Sequence, residues 1–154
     1  MCFSIDAQSS KTNHFVAVNN MIVKPGTSGN RPDRNNNPGN LRLGGRTDNG
    51  RFTIFPTPEA GFVALVNDLN QKFTGNSKSA RRVLGRDAKT LLEVISVYAP
   101  SSDGNSPTNY ASAVASELGV SAHEPVENLL PRLEEVAQAF ARHEGFTGEI
   151  ITNF

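Results

Sequence analysis

The segment from Thr57 to Glu144 constrains the fold more than any other part of the chain, because its apolar residues recur at helical spacing. Its first helix is predicted to begin with Thr57 as N-cap, Pro58 at the first helical position and Glu59 in the first turn. Glycine, asparagine and proline divide the segment into separate helices. The predicted helices span about 58–74, 88–98, 107–118 and 131–144, with a short helical turn at 125–130 and a polar, basic stretch at 76–87.

The residues before this segment are rich in turn formers and contain two strand signals. Residues 41–43 and 51–55 flank a Gly/Asn/Asp cluster that includes Asn49-Gly50, which predicts a β-hairpin. Residues 15–18 and 21–23 flank a second Asn pair, which indicates either a small hairpin or an arm packed on the domain. A length of 154 residues suits one domain with a single core. We therefore expect an α+β fold, mainly α, with residues 1–33 as an N-terminal arm or extension and residues 34–154 as the folded domain.

Composition and charge limit the partners and the kinds of site that we expect for this chain. The chain has 15 basic and 15 acidic residues, and a net charge near zero argues against nucleic acid or an anionic membrane as the main partner. No apolar run is long enough to cross a bilayer, and the N-terminus lacks the features of a signal peptide. Cys2 is the only cysteine, the three histidines are scattered, and no Gly-rich phosphate loop stands between a strand and a helix. We expect no disulfide, no metal site and no cofactor.

The last predicted helix carries an unusual carboxylate. Glu144 lies three, four and seven residues after Ala141, Phe140 and Ala137, which puts it on the apolar stripe at the last turn. Burial and the negative end of the helix dipole both disfavour the anion there, so this position suits a carboxylic acid that stays protonated. Such an acid is what general-acid cleavage of a glycosidic bond needs. The alternative is that Gly145 ends the helix and Glu144 simply bends out to solvent.

Two polar clusters are candidates for binding. The run from residue 34 to residue 40 contains Asn36, Asn37 and Asn40, whose amides could bind sugar hydroxyls and N-acetyl groups, or could simply form turns. Tyr98 and Tyr110 flank a polar loop and could contact a sugar, or could be core residues with surface hydroxyls.

Glu59 is a second acidic candidate on an apolar stripe. At a helix N-terminus the dipole stabilises its anion, so it is expected to start the helix or to act as an ionised partner at the site.

Three motifs resemble those of phage-encoded and phage-derived proteins that are virion-associated or carry lysozyme-like peptidoglycan-degrading domains. The motifs are Arg-Asn-Asn-Asn-Pro-Gly-Asn-Leu-Arg at 34–42, Phe-Thr-Ile-Phe-Pro-Thr-Pro-Glu-Ala-Gly-Phe at 52–62, and Tyr-Ala-Pro at 98–100 followed by Tyr110. The resemblance covers residues 34 to about 146. It implies a lysozyme-like helical domain with one small β-hairpin.

A looser resemblance concerns the order of the motifs. Bacterial cell-wall glucosaminidases of the lysozyme-like superfamily have an Ala-Gln-Ala helix with a Glu, then an Asn-Asn segment, a strand-to-helix turn and a Tyr-bearing motif. In this chain the last three occur in that order, and the Ala-Gln-Ala helix follows them at 137–144. We hypothesise a circularly permuted lysozyme-like domain, in which Glu144 should face Asn36, Asn37, Asn40 and Tyr98 across one cleft.

The resemblance implies an enzyme that cleaves peptidoglycan glycan strands, as a lytic transglycosylase or as a muramidase or glucosaminidase. Glu144 would be the general acid and base, while Asn36, Asn37 and Asn40 would border the cleft and Tyr98 and Tyr110 would line it. Only Glu59 and Asp103 are candidates for a second carboxylate, and a lone acid fits a transglycosylase or substrate-assisted hydrolysis.

The alternative to an enzyme is a non-catalytic glycan-binding or structural protein of a phage virion or secretion machine. In either case the expected partner is the glycan strand, with a phage particle or secretion system as a further candidate. The protein would be made in the cytoplasm and reach the cell wall by another route or within a virion.

Overall fold

The computed structural model describes residues 2–3, 16–17, 20–49 and 51–152, and the fold is α+β and mainly α. Local side-chain chemistry sets the ends of the predicted helices. Thr57 Oγ1 accepts a hydrogen bond from the Ala60 amide at 3.1 Å, and Gly119 and Gly145 end two helices in the left-handed conformation. The helices are α1 (Arg31–Arg34), α2 (Pro58–Phe73), α3 (Lys78–Leu84), α4 (Leu91–Tyr98), α5 (Pro107–Leu118), α6 (Val126–Leu129) and α7 (Leu133–Glu144).

Helix α2 is the centre of the packing. Most of its residues are buried, including Phe62, Leu65 and Leu69, which have no exposed surface. Helices α4 and α7 contact α2, and α5 packs against both α4 and α7. Burial of each large apolar side chain contributes roughly 1.5–3 kcal/mol, so this arrangement holds the end of α7, and with it Glu144, in a defined position.

The strands form short antiparallel pairs. The predicted hairpin is present, but its first strand lies at Thr47–Asp48 and not at residues 41–43. Residues 41–43 run beside the hairpin instead, because the Thr53 amide donates to the Leu41 carbonyl at 2.9 Å and the Leu43 amide donates to Thr53 Oγ1 at 2.9 Å. The strands are β1 (Cys2–Phe3), β2 (Val16–Ala17), β3 (Met21–Val23), β4 (Thr47–Asp48), β5 (Phe52–Thr53) and β6 (Ile150–Thr152).

Of the two possibilities for the segment before residue 24, the structure has the arm packed on the domain, since β2 and β3 both contact α2, and not the small hairpin. Strand β3 pairs with β6, in the register Met21 to Thr152, and not with Val16–Ala17. Val23 is 2% exposed and belongs to the core. Within residues 15–18, Val16–Ala17 pairs with β1, while residues 15 and 18 lie outside the described part. Strand β3 therefore pairs with a strand distant in the sequence and not with the one that precedes it.

The structure describes the residues on both sides of the predicted boundary after residue 33. Helix α1 spans this position, and the buried Asp33 contacts residues on either side of it. The Asp33 carboxylate accepts hydrogen bonds from the amide and hydroxyl of Ser28 at 2.9 and 2.5 Å, and from those of Thr147 at 2.9 and 2.6 Å. Residues 20–33 are therefore an integral part of the domain, and the rest of the predicted arm lies largely outside the described residues.

Candidate active site

Glu144 is the last residue of α7, and the chain does not carry it out into solvent. Gly145 adopts φ 100°, and the Phe146 amide donates to the Ala141 carbonyl at 3.0 Å, so the chain turns back and buries Phe146. Asn30 Nδ2 donates to the Gly145 carbonyl at 2.7 Å. These contacts hold the helix end and leave Glu144 half-buried.

Both carboxylate oxygens of Glu144 accept a side-chain hydrogen bond. Tyr110 Oη donates to Oε2 at 2.8 Å, and Asn40 Nδ2 donates to Oε1 at 3.0 Å. The donors come from α5 and from the Asn-rich turn, which lie 34 and 104 residues away along the chain. The expected approach of Glu144 to Asn40 is confirmed. A carboxylate held at both oxygens has a defined orientation, which proton transfer requires.

An aromatic cluster supports this end of the site. The Tyr110 ring centroid lies 5.4 Å from that of Phe140 and 3.8 Å from that of His143, and Tyr98 meets Phe140 edge-on at 5.0 Å. Burial raises the pKa of Tyr98, as do the nearby carboxylates of Glu144 and Asp68. Burial is also the main cause of the raised pKa of Tyr110, followed by the proximity of Tyr98 and Glu144. Both hydroxyls therefore stay protonated and act as donors.

Tyr98 fixes the Asn-rich turn and does not bond Glu144. Its hydroxyl donates to the Gly39 carbonyl. A Cβ on Gly39 would lie 2.5 Å from Tyr98 Oη, so only glycine permits this close approach. Tyr98 thereby places the residue that follows Gly39, which is Asn40, against Glu144.

The asparagines of the turn divide into two roles. Asn37 is completely buried, and its Nδ2 donates to the carbonyls of Leu41 and Thr53 at 3.0 and 2.9 Å. Asn36 adopts φ 51°, and its Nδ2 donates to the Phe55 carbonyl at 3.2 Å. These two residues build the turn and do not line the cleft around Glu144, whereas Asn40 does.

A cleft of about 590 Å³ opens beside Glu144. This volume lies within the range of about 300–1,000 Å³ that is typical of small-molecule sites. Asn40 and Tyr98 line the cleft, while Tyr110 is 3% exposed and supports Glu144 without lining it. The charged lining residues are Arg31, Arg42, Arg51, Lys72, Arg82, Asp68, Asp103 and Glu144.

The two candidates for a second carboxylate differ in position. Asp103 lines the cleft and lies 3.6 Å from Arg42. Glu59 lies in the first turn of α2, which is capped by Thr57, and is not among the cleft residues. The structure therefore does not bring Glu59 to the carboxylate of Glu144.

The sequence interpretation missed an ion pair in the cleft. Lys72 Nζ lies 2.8 Å from Asp68 Oδ2, and Lys72 is only 7% exposed. The same ammonium lies 5.8 Å from the centroid of the Tyr98 ring. The sequence did contain a signal for it: Lys72 follows the apolar Leu69 and Leu65 by three and seven residues, which places a cation on the buried face of α2.

A scan against protein-family models and a search of the curated proteins found no match to this chain. Within the described residues, no three His, Cys, Asp or Glu side chains come together as a metal site. None of the helices in that part of the chain has both the length and the apolar character to cross a membrane.

Proposed function

We propose that the chain cleaves the glycan strands of peptidoglycan, with Glu144 as general acid and base. The observation that carries the proposal is the carboxyl group of Glu144, oriented at both oxygens by Tyr110 and Asn40 at the side of a cleft. An oriented carboxyl group beside a cleft with amide and aromatic lining suits acid-catalysed cleavage of a glycosidic bond. The resemblance of the motifs to lysozyme-like domains supports the substrate class by analogy.

The acid step is carried out by the protonated form of Glu144. It gives its proton to the glycosidic oxygen while the bond from that oxygen to the anomeric carbon breaks. The protonated carboxyl group keeps acceptor capacity on both oxygens beside its O–H, so Tyr110 and Asn40 can remain bonded while the acid proton faces the sugar. The Glu144 carboxylate then removes a proton from the hydroxyl that attacks the anomeric carbon, and the acid is restored.

The nucleophile is proposed to come from the substrate. The other two carboxylates of the cleft are engaged with cations, Asp68 with Lys72 at 2.8 Å and Asp103 with Arg42 at 3.6 Å. Glu144 is then the one group that transfers protons. A sugar hydroxyl attacks directly, which forms an anhydro sugar, or the N-acetyl oxygen attacks first and water follows.

The test is the Glu144→Gln variant on purified cell walls. Glutamine has nearly the same size as glutamate and can still form hydrogen bonds, so we expect an unchanged circular dichroism spectrum. Because it cannot donate an acid proton, muropeptide release should fall by about 100- to 10,000-fold. The matched control is Glu127→Gln, because Glu127 is exposed on α6 and outside the cleft. It should retain the wild-type rate.

Mass spectrometry of the released fragments then separates the two routes. Anhydro ends indicate attack by the sugar's own hydroxyl, and reducing ends indicate hydrolysis. Lysis by Glu144→Gln at the wild-type rate would refute the assignment.

A second candidate is glycan binding without cleavage. The observation that favours it is that Tyr110 and Asn40 already donate to both carboxylate oxygens, as in a residue that organises a binding surface. Wild-type protein that sediments with cell walls but releases no muropeptides would support this candidate over the enzyme.

A further inference from the structure

Three arginines surround one aromatic ring in the wall of the cleft. The guanidinium carbons of Arg31, Arg42 and Arg51 lie 4.3, 4.7 and 5.4 Å from the centroid of the Phe52 ring. We call these three residues the arginine cluster. Cation–π attraction to the ring offsets part of the repulsion between the like charges and holds the planar groups in place.

The described residues neutralise the charges of the cluster only in part. Arg31 Nε lies 3.0 Å from Asp48 Oδ2, and Arg42 lies 3.6 Å from Asp103. Arg51 is exposed and makes no ion pair within the described residues. One wall of the cleft therefore presents guanidinium groups that remain accessible, with the side chains of Arg31 and Arg42 about 40% and 43% exposed.

The cleft as a whole is more positive than the chain. Its lining includes five cationic and three anionic side chains, whereas the complete chain has 15 of each. This local excess raises the concentration of anionic ligands at the cleft. A neutral sugar chain gains nothing from it, so the charge distribution indicates a ligand with anionic substituents.

We propose that the arginine cluster binds the carboxylate groups of the peptides that the glycan strand carries, beside the bond that Glu144 cleaves. This inference rests on the proposed function. Guanidinium groups match carboxylates in a bidentate geometry, and the Phe52 ring orients them before the ligand arrives. The cluster and Glu144 line the same cleft, so one strand can contact both. The cluster thereby makes the site selective for peptide-bearing strands over bare ones.

The experiment compares two forms of one substrate. Cell walls free of phosphate polymers are used as they are, or after their carboxylates have been converted to amides with a carbodiimide. The variants are Arg51→Gln and the double variant Arg42→Gln with Arg51→Gln. The control is Arg46→Gln, which removes the same charge from an exposed residue of the same hairpin region outside the cleft.

On untreated walls we expect the double variant to release muropeptides about five- to tenfold more slowly than the wild type at limiting substrate, since each exposed charge contact contributes a few-fold. On amidated walls the wild type should slow to the rate of the double variant, and the two should differ by less than twofold. Arg46→Gln should match the wild type on both substrates. The same comparison by sedimentation measures wall binding independently of cleavage.

Equal defects of the double variant on untreated and amidated walls would overturn the inference, as would an equal defect in Arg46→Gln. An effect seen only on walls that carry phosphate polymers would overturn the assignment to carboxylates. Failure of the proposed function looks different, because the wild type then releases no muropeptides from either substrate. In that case the sedimentation measurement still decides whether the cluster binds carboxylates.

Discussion

Removing the Tyr110 hydroxyl should disturb the orientation of Glu144, the candidate acid, with little effect on the stability of the fold. Tyr110→Phe deletes the 2.8 Å hydrogen bond to Glu144 Oε2 but keeps a ring that packs against Phe140 and His143. Glu144 becomes ionised as it gives up its proton, and a hydrogen bond to an ionised group is worth about 1.5–3 kcal/mol. If that energy orients Glu144 in the transition state, kcat should fall about 10- to 100-fold, because about 1.4 kcal/mol corresponds to a factor of ten.

The unfolding free energy should change much less, because Glu144 is half-buried and water can replace the lost donor. The assay is the initial rate of muropeptide release at several wall concentrations, together with the Tm of each protein. Tyr98→Phe is the comparison variant, since the Tyr98 hydroxyl bonds Gly39 and not Glu144. It should lower kcat less than Tyr110→Phe, because it acts on Glu144 only through the position of Asn40. A Tyr110→Phe protein whose kcat stays within about twofold of the wild type would refute the orienting role, given the expected loss of at least about 1.4 kcal/mol.

Two further predictions concern the contacts that hold the site in place. Burial alone would raise the pKa of Asp33, but hydrogen bonds from Ser28 and Thr147 outweigh it and lower the pKa. The resulting stabilisation is complete above the unfolded value of about 3.9 and is lost as the pH falls through the lower folded value. Asp33→Asn should therefore lower the Tm by about 4–8 °C at pH 7, for a loss of about 2 kcal/mol, and the gap should narrow below about pH 4. A gap that stays constant down to acidic pH would contradict this reasoning. Gly39→Ala should lower the stability by about 1–3 kcal/mol and weaken wall degradation, because its Cβ would lie 2.5 Å from Tyr98 Oη. An unchanged urea midpoint for Gly39→Ala would show that the turn accommodates the methyl group.

The longer helices could be predicted because their signals are local. Side-chain oxygens of Thr57 and Ser106 cap α2 and α5, and Gly145 ends α7 in the left-handed conformation. Each of these interactions joins residues at most four or five positions apart. Helix α3 (Lys78–Leu84) was not predicted, although Ser77 caps it, because only Ala80 of its seven residues is buried and the apolar period is weak.

The strand pairings could not be predicted fully from residues that are close together in the sequence. The turn at Asn49 indicated the hairpin, but the position of its first strand depended on the buried side chain of Asn37 and on Thr53. The pairing of Met21–Val23 with Ile150–Thr152 joins the two ends of the domain, and short apolar strands carry no signal of a partner so distant.

By itself the sequence determined the longer helices, the turn residues and the unusual position of Glu144 on the apolar stripe of α7, because hydrogen bonds and side-chain periodicity within a few residues decide them. Only the tertiary structure decided which residues meet Glu144. Of the asparagines, Asn40 donates to Glu144, whereas Asn36 and Asn37 do not. Of the tyrosines, Tyr110 donates to Glu144 and Tyr98 donates to Gly39. Glu59 lies outside the cleft. The physical reason is that these contacts depend on how α2, α4, α5 and α7 pack, and packing is set by the shape of the whole core rather than by any one segment.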